Sequence, residues 1–299
     1  MSGKIMGKFS ILMNCYNCEK YLKEALDSIF SQTFQSWEIV FVDNCSTDRS
    51  SEIAKSYGEK LIYRKTDNLI PLGEARNFGL QYCNSEYLAF LDTDDIWFPE
   101  KLATQFKIFE KDSNVQMIYG GAIWIDEVGK QIGERVPKKS KDPFKQNLIQ
   151  YEINMQSVAI RKNIEIDFRD DHKFSPDFDL FMKILSKYKT EIISESIVKY
   201  RKLTSSLTSK TIDRWWVETK ESLDDIFQDS NISEKYIEEK KLAYAKVQYY
   251  KAQYLISKNR FKEARKELKI YSSLNKIYKI LYFLSFSKTL WKLAHKFKR

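Results

Sequence analysis

Glycine and proline are scarce in this chain, 9 and 5 among 299 residues. That leaves little material for long flexible linkers and excludes collagen-like or low-complexity sequence. Histidine is scarcer still, with 2 residues, and His172 and His295 form no cluster with the 4 cysteines. Cys15 and Cys18 make a lone C-x-x-C with no second pair at zinc-finger spacing, so a structural zinc site is not expected. Cys15, Cys18, Cys45 and Cys83 therefore read as reduced, partly buried thiols of a cytosolic protein. No apolar run reaches the roughly 18–20 residues needed to cross a bilayer. Residues 1–8 are short and polar, and the apolar stretch at 9–13 is too brief for a secretory h-region. From these absences the active part is expected in the cytoplasm.

What is present fits a soluble globular chain: 43% hydrophobic and 30% charged residues, with 18 Tyr and 19 Phe. The net charge of +9 is unevenly spread. Residues 1–210 carry 30 Lys/Arg against 30 Asp/Glu, whereas 211–299 carry 20 against 11. From Tyr271 to Arg299 there are seven basic residues and no acid. Such a basic segment calls for an anionic partner, membrane lipid or nucleic acid.

The first hundred residues alternate strand and helix signals. Strands are expected at 9–14, 37–43, 61–64 and 87–91, and helices at 19–31, from a Ser46-Thr47-Asp48 cap to about 57, at 72–83 and at 99–110. This order argues for a mostly parallel sheet with helices on both faces, whose ligands bind beyond the carboxyl ends of the strands. Further strands are expected at 116–125, with a hairpin turn at 127–130, at 156–161, and at 191–202 as one or two closing strands. Residues 133–143 read as a basic polar loop, and 176–187 as a helix. From about Thr211 the pattern is helical. Residues 234–257 and 260–272 resemble one tetratricopeptide helix pair, too few for a solenoid.

Two acidic stretches carry the chemistry. Leu91-Asp92-Thr93-Asp94-Asp95 puts three carboxylates at the end of a buried apolar strand, a repulsion that a hard divalent cation offsets. Read without such a ligand, the same stretch is a solvated acidic turn before the helix at Pro99. Val42-Asp43-Asn44-Cys45-Ser46-Thr47-Asp48 places an Asp at another strand end. There it either accepts from a nucleotide base or ribose, or only caps the following helix.

The stretch Ser10–Asn17, then Tyr21-Leu22, Ser28-Ile29, Gln32-Thr33, Val42-Asp43, Ser46-Thr47-Asp48, Ala75–Gly79 and Leu91–Asp95, resembles glycosyltransferase family 2 in order and spacing. The resemblance spans about residues 8–205. It implies a GT-A fold; with the change to a helical pattern near 211, the expected division is an α/β Rossmann-like domain over 1–210 and a helical region over 211–299. It also implies a nucleotide-diphosphate sugar donor, a bound Mn2+ or Mg2+, and inversion at the anomeric carbon. By motif match, Asp43 would contact the base, Asp92 the ribose or metal, and Asp94 the metal against the diphosphate. Arg76 would lie near the nucleotide, with Tyr16 and Asn17 in the nucleotide floor. The family's catalytic base falls on Asp177, with Pro176 where a Glu often stands and Asp179 left to a structural role. Asn14 replaces a frequent Pro. Tyr200-Arg201-Lys202 lacks the His that many members carry, which leaves Arg201 either on the diphosphate or at the surface.

The acceptor expected is a glycan or lipid-linked hydroxyl, in the biosynthesis of bacterial cell-surface polysaccharide, lipopolysaccharide or capsule. A basic amphipathic helix over 277–297 either gives peripheral membrane contact through 277–299, on the inner face of the membrane, or packs on the catalytic domain with its lysines merely solvated. Nucleotidyl transfer by a similar fold is the competing enzyme reading, but residues 14–20 contain no glycine for a phosphate loop. A non-catalytic nucleotide-sugar or nucleic-acid binder is the remaining alternative. No nucleic-acid recognition motif is present, so nucleic acid is not expected as a partner.

Overall fold

The computed structural model describes residues 7–172, 175–203, 215–274 and 276–296. The chain divides into two compact units. The first comprises Met1–Asn147 and Tyr151–Thr204, the second Leu148–Gln150 and Ser205–Arg299.

In the first unit the strands are β1 (Phe9–Cys15), β2 (Trp37–Asp43), β3 (Leu61–Lys65), β4 (Tyr87–Phe90), β5 (Ile96–Trp97), β6 (Val115–Ile125), β7 (Gln131–Arg135), β8 (Ala159–Arg161) and β9 (Lys189–Arg201). They form one mixed sheet in the order β3-β2-β1-β4-β8-β6-β9-β5, with β7 paired to β6. The block β3-β2-β1-β4 is parallel throughout, as is β6 with β9. β8 runs antiparallel between the two blocks. β1 (FSILMNC) and β2 (WEIVFVD) are almost wholly buried, as central parallel strands covered on both faces must be.

Helices α1 (Glu19–Phe30), α2 (Ser50–Lys55), α3 (Leu72–Leu80), α4 (Lys101–Lys111), α5 (Pro143–Ile149) and α6 (Pro176–Lys187) follow in chain order. α1 buries Leu22, Ala25, Leu26 and Ile29, the one-face spacing of an amphipathic helix, against Phe9, Ile11 and Met13. α3 lies so close to β1 and β2 that a Cβ on Gly79 would collide with Leu12 and Val42. That approach brings the α3 side chains over the strand ends.

Register fixes where those ends fall. Cys15 pairs with Asp43 and Leu12 with Phe90. The Leu91 N–H continues the ladder to the Leu12 carbonyl at 3.2 Å. The chain then leaves the sheet at Asp92, beside the ends of β1 and β2.

Several expectations change. The helix expected from the Ser46-Thr47-Asp48 cap to about 57 ends sooner, at Lys55, and its start is held by Asp48. Its Oδ1 accepts from the Ser50 N–H at 3.0 Å and its Oδ2 from the Glu19 N–H at 3.0 Å. The closing region is one strand, β9, and the loop at 133–143 is partly strand β7. Residues 155–157 form a 3-10 turn ahead of the short β8. Cys15 and Cys18 are not reduced thiols but a disulfide, with Cα atoms 5.9 Å apart. Asn17, at φ 52°, turns the chain back and brings the two cysteines together. Cys45 and Cys83 are free.

The second unit holds α7 (Trp215–Ile226), α8 (Ser230–Lys235), α9 (Ile237–Ser257), α10 (Phe261–Ile270), α11 (Lys276–Leu284) and α12 (Lys288–Lys296). α9 ends in a left-handed residue, Asn259 at φ 61°. There the Arg260 N–H donates to Leu255 O at 2.8 Å and the Asn259 N–H to Ile256 O at 3.0 Å. This Schellman arrangement satisfies the orphan carbonyls and turns the chain into α10. Ala252, Leu255, Ile256, Ala264, Leu268, Leu281 and Trp291 form one core cluster of this unit. The single amphipathic helix expected over 277–297 is two helices. The break lies at Ser285–Ser287, where N–H groups fall back on carbonyls three residues earlier. Among the described residues, no helix is long and apolar enough to cross a membrane.

Candidate active site

The carboxyl ends of β1, β2 and β4 carry the expected residues, and each is held by local geometry. Tyr16 and Asn17 lie in the turn closed by the Cys15–Cys18 disulfide. Asn17 bridges to the loop after β2: its Oδ1 accepts from the Thr47 N–H at 2.8 Å, and its own N–H donates to Ser46 Oγ at 3.0 Å. The Tyr16 ring is 53% exposed and stands open to a ligand.

Asp43 is fully buried. Its Oδ1 accepts from the Ser46 N–H at 2.8 Å and its Oδ2 from the Tyr63 hydroxyl at 2.5 Å. Asp43 thus holds the turn, and a ligand reaching it would share an oxygen that the protein already uses.

Arg76 is the centre of the site. It is delivered by α3, only 5% exposed, with its guanidinium over the Phe168 ring at 5.3 Å. Its Nη2 lies 3.6 Å from Asp92 Oδ1. Its Nη1 is buried and has no hydrogen-bond partner among the described residues. A buried cationic N–H without an acceptor is costly, and an anionic ligand would relieve it. The side-chain amide of Asn14, at the end of β1, is buried and unpartnered in the same way. Asn77, the next residue on α3, pins the Phe168 loop from both sides, donating to Phe168 O at 2.6 Å and accepting from Phe168 N at 2.9 Å.

Asp92 is partly exposed and doubly held, by Arg76 and by the Gln156 amide, which donates to Oδ2 at 2.5 Å. Burial first, and then the Asp92 charge, push the Asp94 carboxyl up to about 6. Asp95 turns the other way. It is 1% exposed and its Oδ1 accepts from the Arg201 main-chain N–H at 2.6 Å. Burial, Asp94 and Asp92 all push its carboxyl well above the usual range, toward the protonated form. The acidic turn therefore offers two outward carboxylates, not three.

Asp177 opens α6 and comes within electrostatic reach of this cluster. Burial raises its carboxyl, the Arg76 guanidinium draws it back, and Asp92 adds to the rise. Tyr151 packs on Phe178 at 4.9 Å, and its phenol is pushed well up by burial and by the Asp177 charge. Asp179 is buried and pairs with Lys183 at 2.6 Å, a structural ion pair one helical turn long. Arg201 is neither on the surface nor aimed outward. At 3% exposure, its Nε donates to Asp94 O at 2.9 Å, its Nη1 to Asp126 O at 3.2 Å, and its Nη2 pairs with Glu24 at 2.5 Å.

Asp92, Asp94, Arg76 and Asp177 are thus brought to one place, with Tyr16 and Asn17 in the turn beside the β2 end. Gln156, Tyr63 and the positioning role of Arg201 escape sequence reasoning, since each depends on a partner 20 to 107 residues away. The unusual Asn14, in place of a frequent Pro, was the one local signal.

The donor set suits a hard divalent cation. Two carboxylates press on each other electrostatically, and such ions accept one or two protein carboxylates when substrate phosphates complete the shell. Among the described residues no group of three or more His, Cys, Asp or Glu side chains is arranged as a metal site, so phosphates would have to supply the remaining ligands.

A curled, mainly parallel sheet flanked by helices, with acids and an arginine at its strand ends, defines a GT-A glycosyltransferase fold. The sequence profile of glycosyl transferase family 2 matches residues 10–167, and the chain belongs to that family. An uncharacterized glycosyltransferase of Methanocaldococcus jannaschii is 33% identical over 204 residues, covering 64% of this chain and 70% of that one. The amylovoran biosynthesis glycosyltransferase AmsE of Erwinia amylovora is 30% identical over 185 residues, 60% of this chain and 70% of its own. Among solved structures, residues 1–349 of TarS from S. aureus in complex with UDP-GlcNAc superpose with a TM-score of 0.57 at 17% identity, over 97% of this chain and 92% of that one. A mannosyltransferase from Pyrobaculum calidifontis, in complex with GDP-Man and Mn2+, gives 0.59 at 14% identity, over 98% and 88%. These two likenesses concern the fold.

Proposed function

We propose that the protein is an inverting glycosyltransferase that moves a hexosyl group from a nucleotide-diphosphate sugar onto an acceptor hydroxyl. The observation that carries this reading is the buried Arg76 guanidinium, beside Asp92 and within electrostatic reach of Asp177, with one nitrogen that has no hydrogen-bond partner among the described residues. It is a cationic socket suited to a phosphate, beside a carboxylate suited to be a base.

In this reading the donor's diphosphate accepts from Arg76 Nη1, while Tyr16, Asn17 and the Asp43 turn floor the nucleoside. Asp94, with Asp92, would hold Mg2+ or Mn2+ together with the phosphates, and the cation would offset the charge on the departing diphosphate. Asp177 takes the acceptor's proton as its oxygen attacks the anomeric carbon from the face opposite the leaving group, which inverts the configuration. Such a reaction passes through a centre of oxocarbenium character. The raised Asp177 carboxyl is a stronger base than an ordinary aspartate, and the Arg76 guanidinium pulls it partly back toward the ionised form. AmsE acts in amylovoran biosynthesis, and TarS is seen with UDP-GlcNAc. These two support a UDP-sugar donor and a polysaccharide acceptor, and a lipid-linked acceptor is the further option of this reading.

A panel of UDP-, GDP- and dTDP-sugars, screened with Mn2+ for thermal stabilisation and slow release of the nucleoside diphosphate, tests the reading. At least one sugar nucleotide should raise the melting temperature and be hydrolysed without acceptor. A panel that does neither overturns it. The anomeric configuration of a transfer product, read by NMR, tests inversion.

A further inference from the structure

The helices α11 and α12 show more apolar surface than their packing uses. Leu281 and Trp291 face inward and complete that core cluster of the second unit with Ala252, Leu255 and Leu268. Facing outward are Ile277, Ile280, Phe283, Phe286, Leu290 and Leu293, each about half exposed, with Phe283 at 59%. A solvated surface does not need six large apolar side chains across two short helices and the turn that joins them.

Basic residues share that outward side. On α11, Lys276, Lys279, Ile280 and Phe283 follow the spacing that puts residues on one helical face, and all four are exposed. Lys276, Lys279 and Phe283 also line an open pocket of about 460 Å³ with Ser272, Ser273 and Tyr282. Two ammonium groups, Ser273 and a tyrosine beside an exposed phenyl ring offer donors for a phosphate and an apolar wall for what is attached to it, while the Ser272 hydroxyl donates to Lys269 O. No acid lies in the sequence from Tyr271 to Arg299.

We propose that the outward face of α11 and α12 docks on a bilayer carrying anionic phospholipid. The pocket at Lys276 and Lys279 receives a headgroup phosphate, and Ile280, Phe283 and Phe286 enter the acyl boundary. Apolar side chains interleaved with lysines, on helices far too short to span, match a protein that lies on the interface. A second copy of the chain fits less well, since a two-fold contact through this face would set lysines against lysines with no acid to pair them. Nucleic acid fits the lysines but leaves the row of apolar side chains in water. The surface belongs to the helical unit alone, so its test is independent of sugar transfer.

The full-length protein is to be sedimented with vesicles of phosphatidylcholine alone and of phosphatidylcholine mixed with phosphatidylglycerol. It should pellet with the mixed vesicles only, and added salt should release it. Charge reversal by Lys276→Glu with Lys279→Glu should weaken binding by at least about tenfold. Ile280→Ser with Phe283→Ser should weaken it too, and both should leave the melting temperature near that of the wild type. Should a variant fail to fold, the lipid preference and salt sensitivity of the wild type still decide the matter. Equal pelleting with both vesicle types, no pelleting with either, or variants that bind as the wild type does would overturn the proposal. A wild-type dimer that charge reversal splits into monomers would also overturn it, pointing to contact between copies.

Discussion

Arg201 meets Asp95 through its main chain: the Arg201 N–H donates to Asp95 Oδ1 at 2.6 Å. The guanidinium is thereby left to grip Asp94 O and Asp126 O and to pair with Glu24, while its plane lies over the Tyr21 ring at 4.3 Å. One side chain at the end of β9 thus fixes the acidic turn, the β6–β7 hairpin and α1 together.

Arg201→Met strands those carbonyls in a buried setting. Leaving buried acceptors unsatisfied costs about 1–3 kcal/mol each, so a loss near 2–4 kcal/mol is expected in urea unfolding. Donor binding should fall as well, because the turn bearing Asp94 loosens. An unchanged midpoint would show that Arg201 does not hold the turn.

Asp177→Asn keeps the shape of the helix start and removes the base. Transfer should drop by about 10²–10⁴-fold while donor affinity, measured by calorimetry, stays within a few fold. Wild-type turnover by this variant would exclude Asp177 from the chemistry.

Gln156→Leu tests how Asp92 is oriented. The main-chain carbonyl of residue 156 still accepts from Trp97 Nε1 at 2.9 Å, so the fold should persist. Losing the amide-to-carboxylate bond should weaken binding of donor with Mn2+ about tenfold, as expected for a hydrogen bond to a charged group. Equal titration curves for the two proteins would count against any role for Gln156.

Lys101 is fully buried, with its ammonium 3.9 Å above the Trp97 ring centroid and hydrogen-bonded to Gln105 at 2.9 Å. Burial lowers its pKa well below the ordinary 10.5. From the lowered folded value up to 10.5 the unfolded chain holds the extra proton, so stability rises with pH across that window. Lys101→Met should flatten this rise and stabilise the protein at neutral pH by about 1–3 kcal/mol. Thermal melts across neutral to alkaline pH would show it; an identical pH profile in the variant would refute it.

The helices and central strands were legible because their burial follows simple periods. The α1 stripe Leu22, Ala25, Leu26, Ile29 and the apolar runs of β1 and β2 mark themselves. Strand β5 did not: Ile96 and Trp97 are two residues at the foot of an acidic turn, and only pairing with Val198 and Lys199 makes them a strand. α5 starts at Pro143 in a stretch that reads as polar loop. Of the site, Asp92, Asp94, Arg76 and Asp177 were legible as a set through family resemblance. Gln156 was not, since it lies in a three-residue turn and acts on an acid 64 residues earlier. The inward turn of Asp95 was hidden for a similar reason, because its partner is the backbone of residue 201.

The hairpin between β6 and β7 is held by its main-chain oxygens at Asp126 and Glu127, while Val128 beyond them is almost wholly exposed and Gly129 sits at φ 86°. An epitope or affinity tag spliced in between those last two residues would ride on an anchored base and leave the acids untouched, giving protein engineers a permissive graft point within the catalytic fold.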